Sequence, residues 1–250
     1  MRKTLPYKFR QKMRKILFSM AMLAIGGISA TAATFTFNTS PTAVSSANQP
    51  VDAQAVITTG TNTITIQLFD LQADPHDASQ LLSGFMFTLD QIVSVSGSTT
   101  PTAPQGFVDV NGNGPATLLP PNSVTVAPWA LSNIGSAIKL NSLVGGPSQT
   151  VIGPTNSSFT PNGSLTSAPH NPYINQEADF TIMVSGVTDT TNVLGVSFGF
   201  GTNGDLPYLP GTGAPTGQSS VTPEPATIVM ALSGIGLAAI GASRRKKKTA

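Results

Sequence analysis

TITIQLFDL, residues Thr63–Leu71, alternates Thr or Gln with Ile or Leu through its first six positions. Successive side chains on a strand point to opposite faces, so this order puts Ile64, Ile66 and Leu68 on one face and Thr63, Thr65 and Gln67 on the other. DFTIMVSGV (Asp179–Val187) repeats the pattern, with Phe180, Ile182 and Val184 at a spacing of two. Thr, Val, Ile and Phe suit a pleated, half-buried surface. TFTFN (Thr34–Asn38), SGFMFTL (Ser83–Leu89), VTVAPWAL (Val124–Leu131) and NVLGVSFGF (Asn192–Phe200) read as strands on the same grounds. Between them lie VNGNGPA, VGGPSQTVIGPTNSSFTPNGS and LPGTGAPTG, crowded with residues that favour turns. No stretch between the ends keeps a helical apolar period, although DASQLL around Ala78–Leu82 has room for one turn. Many short strands with turn signals between them predict an all-β chain, an antiparallel β-sandwich of jelly-roll or Ig-like type. Its expected extent is 33–205, with 206–222 as a Gly/Pro/Thr-rich linker.

Charge is distributed unevenly. The chain has 250 residues, with 13 Lys and Arg against 11 Asp and Glu. Seven of the basic residues fall within the first fifteen, and five are Arg244, Arg245, Lys246, Lys247 and Lys248. The region between them has one lysine, Lys139, against ten acidic residues, a net charge of −9. A domain of that charge repels phosphate and has no cationic cluster to release counterions, which excludes nucleic acid as a partner. There is no cysteine, so disulfides and thiolate metal sites are excluded and burial must hold the domain together.

Both ends carry membrane signals. The basic residues 1–15 precede an apolar run, Ile16–Ile28, of signal-peptide length, and Ala30 and Ala32 supply the small residues that signal peptidase requires. Residues 1–32 are therefore expected to be a cleaved signal peptide. At the other end, residues 226–243 hold no charge and would form a helix about 27 Å long, close to the thickness of a bilayer core. The prolines at 223 and 225 mark the start of that helix, and the cationic tail 244–248 stops transfer and stays cytoplasmic.

Pro223-Glu224-Pro225, followed by an apolar helix and an Arg/Lys cluster, resembles the PEP-CTERM sorting signal of exported bacterial proteins. The family usually has Val before the first proline; here that position is Thr222, with Val221 one residue earlier. The resemblance covers 223–250. It implies a membrane-embedded exosortase-like protease that recognises the motif and removes the helix. It also implies anchoring in the inner membrane before processing, then delivery to the cell surface or to an exopolysaccharide or biofilm matrix.

Other strings compete. Leu209-Pro210-Gly211-Thr212-Gly213 is a literal LPXTG, the motif that sortases cut to attach a protein to cell wall, although thirteen residues separate it from the apolar run. Gly195–Gly199 spells G-x-S-x-G around Ser197, but His76 and His170 both precede it and the surrounding stretch reads as continuous strand. Gly199–Gly204 spells G-x-G-x-x-G, yet prolines follow where a phosphate-binding helix should begin, so a bulged strand is the better reading. Asp109, Asn111 and Asn113 match the first half of a calcium loop, with Pro120 where the closing glutamate would stand. Calcium is therefore an alternative to an Asn-Gly turn, and no other cofactor is expected. Asp70, Asp74, His76 and Asp77 form a second acidic group, read as a solvated loop. Trp129 is expected in the core. Tyr173 and Tyr208, beside prolines in loops, are candidates for stacking on a sugar.

No pair of carboxylates stands out as a glycosidase pair, so the chain reads as a non-enzyme. The expected work is structural or adhesive, with a carbohydrate- or calcium-binding extracellular module as the alternative.

Overall fold

The computed structural model describes residues 32–111, 116–144, 151–154, 159–160, 163–166, 170–202 and 208–215. The chain is all-β there. In chain order the strands are β1 (Ala33–Thr39), β2 (Ala53–Gly60), β3 (Thr63–Asp70), β4 (Leu82–Leu89), β5 (Gly97–Thr99), β6 (Phe107–Asp109) and β7 (Thr117–Leu119). They continue with β8 (Trp129–Ile134), β9 (Ala137–Asn141), β10 (Ile152–Gly153), β11 (Tyr173–Asn175), β12 (Glu177–Met183), β13 (Val193–Phe200) and β14 (Tyr208–Pro215). A single 3-10 turn, Ala78–Gln80, occupies the stretch expected to make one, and Asp77 and Gln80 cap it reciprocally. One four-residue helix, α1 (Gly163–Thr166), completes the described elements.

The alternation that opened the reading is strict in space. Along β1, β2, β3 and β12 every second residue is buried, and Ile57, Ile64, Ile66, Leu68, Phe180 and Ile182 form one wall of the core. Phe85, Phe87, Trp129, Ile138, Leu140 and Phe198 form the facing wall and belong to the same cluster. Each such side chain, fully buried, contributes roughly 1.5–3 kcal/mol, which is how a domain without disulfides holds together.

Pairing runs β12-β3-β2-β1-β14-β13-β4 and continues from β4 through β9 and β8 to β5. The two ends of that path meet. Thr102 and Asp179 exchange backbone hydrogen bonds of 2.9 and 3.0 Å, and the Thr99 hydroxyl donates to Thr181 O at 3.4 Å. The strands thus close around the main core, leaving few open edges for another chain to pair with. From Leu82 a branch of short strands, β10-β11-β6-β7, covers a second cluster that includes Leu81, Val108, Val151, Leu165 and Tyr173.

Three features depart from the expected antiparallel sandwich. The ladder is one continuous sheet, because β14 pairs with both β1 and β13. It is also mixed, since β10 and β11 run parallel. Finally, VTVAPWAL is strand only from Trp129: Pro128 has no N–H to donate, and Val124 and Val126 pack against the core from outside the ladder. β2 went unread because AQAVITTG puts apolar residues on both parities at Ala55, Val56 and Ile57. Among the described residues no helix is long and apolar enough to cross a membrane. The expected signal peptide and the helix at 226–243 lie outside the described residues, apart from Ala32, which is exposed just before β1.

Candidate functional site

The route by which the chain leaves the domain is built by β14. Tyr208, Leu209 and Pro210 pair with Gly199, Phe198 and Ser197 of β13. From Gly211 to Pro215 the same strand pairs with Thr39 to Phe35 of β1. The partner changes at Pro210-Gly211, and the residues there leave no room for side chains. A Cβ on Gly211 would stand 2.5 Å from Val196 Cγ2 and 2.8 Å from Phe198 Cε2. A Cβ on Gly213 would overlap Thr36 O and lie 2.7 Å from Phe37 Cα. Residues read as linker are therefore a strand of the fold, and LPGTG is its corner. Composition hid this strand, because glycine and proline lower strand propensity. Glycine is nevertheless required where backbones approach this closely. A protease that cuts LPXTG would have to pull the string out of the ladder.

Pro223, Glu224 and Pro225, the cationic residues Arg244, Arg245, Lys246, Lys247 and Lys248, and Ala30 all lie outside the described residues. Here the comparison with known families decides. A model described as the PEP-CTERM protein-sorting motif matches residues 221–246. The chain carries a PEP-CTERM sorting segment. That segment implies an exosortase-type processing partner and supports sorting of an exported protein. No curated protein and no solved structure matches the chain. The PEP-CTERM match begins six positions beyond Pro215, so it does not bear on the β-domain itself.

Within the domain, the acidic group 70–77 separates into three roles. Asp70 is wholly buried at the end of β3, where its carboxylate accepts hydrogen bonds from Gln72 N at 3.1 Å and Leu82 N at 3.3 Å. Burial pushes its pKa well above the ordinary carboxylate range; the two N–H donors oppose that, and nearby Asp52 adds to it. Burial acts to raise Asp77 too, but hydrogen bonds from Ser79 and Ser164 outweigh it and hold Asp77 below its ordinary value. Asp74 accepts the Thr160 hydroxyl on both oxygens at 3.0 Å and lies 4.0 Å from His76 at the surface.

Asp70 gives a pH prediction. Its folded pKa exceeds the unfolded value near 4, so the folded state holds the proton more tightly. Stability from this group is fully present below pH 4 and falls as pH rises through the window up to its folded pKa. Urea unfolding at a series of pH values should show that decline. D70N should make it shallower, whatever its own absolute stability, leaving the contribution of the same sign from Asp179, whose pKa burial also raises.

The calcium reading meets an occupied carboxylate. Asp109 Oδ1 accepts Asn171 Nδ2 at 3.0 Å, and Asn171 also exchanges two hydrogen bonds with the backbone of Val110. Asn171 precedes Pro172 through a cis peptide bond. Asn111 is exposed, and Asn113 lies outside the described residues. No group of three or more His, Asp or Glu side chains able to hold a metal occurs among the described residues.

The catalytic-looking strings find structural uses. Ser197 stands mid-strand in β13, opposite Met86 and Pro210, and the ladder shifts register between Gly199 and Phe200, the bulge expected there. His170 is buried, which lowers its pKa. Trp129 is fully buried with its ring edge-on to Phe180, centroids 5.0 Å apart. The two tyrosines are not free loop platforms. Tyr173 lies buried in β11, its ring stacked on Phe159 and its hydroxyl donating to Leu165 O. Tyr208 begins β14 beneath Lys139, whose Nζ is 5.1 Å from the ring centroid, and burial pushes its pKa up to about 12.

Proposed function

We propose that this chain is an exported, non-enzymatic bacterial protein with a structural or adhesive role at the cell surface or in the extracellular matrix. On this reading the signal peptide 1–32 directs export and the helix 226–243 holds the chain in the inner membrane. An exosortase-type protease then acts at Pro223-Glu224-Pro225. The single observation that carries the proposal is the PEP-CTERM match at 221–246. The continuity of β14 up to Pro215 favours it over a sortase, because LPGTG is spent on the fold. We read the closed ring of strands as a flattened β-sandwich presenting its outer faces to the surroundings. The embedded glycines, the interior placement of Trp129 and His170 and the use of Ser197 in the β13 ladder favour a binding or structural role over catalysis.

Intact-mass measurement on each cell fraction of the native host tests this. The expected mature mass begins near Ala33 and ends near Pro223. Replacing Pro223, Glu224 and Pro225 together with alanine should leave the whole population in the membrane fraction with its basic tail still attached. Soluble cytoplasmic protein of the full unprocessed mass would overturn the proposal.

A further inference from the structure

Both ends of the β-domain leave it at one pole. β1 starts there, with Ala33 opposite Thr59 near the end of β2, and β14 finishes there, with Pro215 opposite Phe35. The same pole holds the β2–β3 turn at Thr61-Asn62, the residues after β4, the β8–β9 turn, the end of β12 and the start of β13. Four large apolar side chains stand exposed on it: Ile134 (87%), Ile92 (83%), Met183 (71%) and Leu194 (66%). The first three are the most exposed large apolar residues among those described.

Their backbone is held in place. Ile134 pairs with Ala137 across a two-residue turn, Gly135-Ser136. Ile92 lies between Gln91, whose amide donates to Gly186 O at 3.0 Å, and Val93, whose carbonyl accepts Asn133 Nδ2 at 2.7 Å. Met183 is opposite Thr63, and Leu194 is the bulged residue between Val193 and Gly195. Apolar side chains gathered at one end of a domain, rather than scattered singly, mark a contact surface.

Charge and chain length point to its occupant. Among the described residues this pole carries two acidic groups, Asp90 and Asp189, and no Lys or Arg. Asp52, Asp74, Asp77, Asp109 and Glu177 lie toward the opposite pole, beyond the end of β3 and around the starts of β2, β4 and β12. An anionic lipid surface therefore repels that pole more strongly than this one. Ten residues, 216–225, separate Pro215 from the charge-free run 226–243. Fully extended, they reach about 35 Å. An eight-residue strand such as β14 is about 26 Å long. Turning the domain over, to set the opposite pole on lipid, would spend most of the tether running back along the domain. The direct path leaves the apolar rim facing the bilayer.

We propose that this pole docks on the bilayer surface while the chain is anchored, with Ile92, Ile134, Met183 and Leu194 entering the boundary between headgroups and acyl chains. The proposal rests on the anchored reading of 226–243 given above. Docking keeps Pro223-Glu224-Pro225 at the level of the lipid, where a membrane-embedded protease reaches it. Once the helix is removed, only the few rim side chains hold the domain to the surface, a contact small enough to release.

The chain has no cysteine, so single cysteines can be labelled without background. Ser94, exposed two residues from Ile92, and Ser46, exposed in the β1–β2 connection at the opposite pole, take the label as S94C and S46C. The full chain is reconstituted into phosphatidylcholine vesicles with a minor fraction of phosphatidylglycerol and a lipid spin-labelled at the headgroup. Flotation reports the anchor, and quenching of the attached fluorophore reports docking. S94C should be quenched roughly threefold more than S46C. Adding I92S/I134S/L194S, which alters exposed side chains alone, should leave flotation unchanged and the thermal midpoint within a few degrees, and should abolish that difference. Equal quenching at the two sites, or a difference that survives the triple substitution, overturns docking and leaves the anchor standing. Protein that does not float refutes the anchor and the docking with it. S94C chains that cross-link to one another instead of being quenched would assign the pole to a second copy and overturn the lipid contact.

Discussion

G213V is expected to leave the domain unfolded. A side chain at that position meets Thr36 O and Phe37 Cα, both backbone of β1, so neither can rotate aside. Relief would require β14 to separate from β1 over the five paired positions Gly211–Pro215. The expected loss exceeds about 4 kcal/mol, the range reached only when a buried arrangement is broken outright. Domains of this size have total stabilities on the order of 5–15 kcal/mol, so little would remain. Circular dichroism and soluble yield would show it, with T212V as the comparison, because Thr212 is exposed and its hydroxyl makes only a 3.4 Å contact to Asn38 O. A G213V protein that melts within a few degrees of wild type would mean that β14 does not pair as described. Ending the chain after Asp205 should have the same consequence, since both β1 and β13 would lose their shared neighbour.

W129A is expected to cost about 3–5 kcal/mol, the usual range for removing a large buried aromatic. Trp129 has no exposed surface, and its edge-on contact with Phe180 joins β8 on one side of the core to β12 on the other. Such a contact adds roughly 0.5–1.5 kcal/mol beyond area burial. The expected result is a lower urea midpoint with an unchanged slope. W129F, which keeps an aromatic ring, should recover a large part of the loss. A W129A protein as stable as wild type would place the indole at the surface and reopen the possibility that it stacks on a ligand.

Much of this arrangement was legible before any coordinates. Thr63–Leu71 and Asp179–Val187 revealed their strands because Ile, Leu and Phe alternate with polar residues without interruption. The capped turn at Ala78 and the bulge near Gly199 were also readable, since local residue chemistry governs both. What escaped depended on partners distant in sequence. Ala53–Gly60 has weak alternation and becomes a strand because β1 and β3 flank it. Tyr208–Pro215 has the composition of a linker and is a strand because β13 and β1 flank it in turn, so closely at Gly211 and Gly213 that neither position has room for a side chain. The acids at Asp70, Asp74 and Asp77 looked like one group, but the path from β3 into the capped turn sends one into the interior and leaves the others near the surface. The outward-facing Thr34, Thr58, Thr65 and Thr181 of β1, β2, β3 and β12 were written in the same alternation that revealed the core. Only register shows that threonines from four strands fall side by side.

The sharing of β14 by the earliest and the penultimate strands also has a consequence in time. A polypeptide crossing a membrane from its amino end presents β1 first, yet β1 cannot gain its second neighbour until residue 215 has emerged. Contacts between positions nearly two hundred residues apart close late and slowly. For an exported chain this delay is useful, because a translocation channel passes only unfolded substrate. Maturation of the domain would then coincide with the final pull on the thread, because the strands can close around the core only once β14 has followed β13 across.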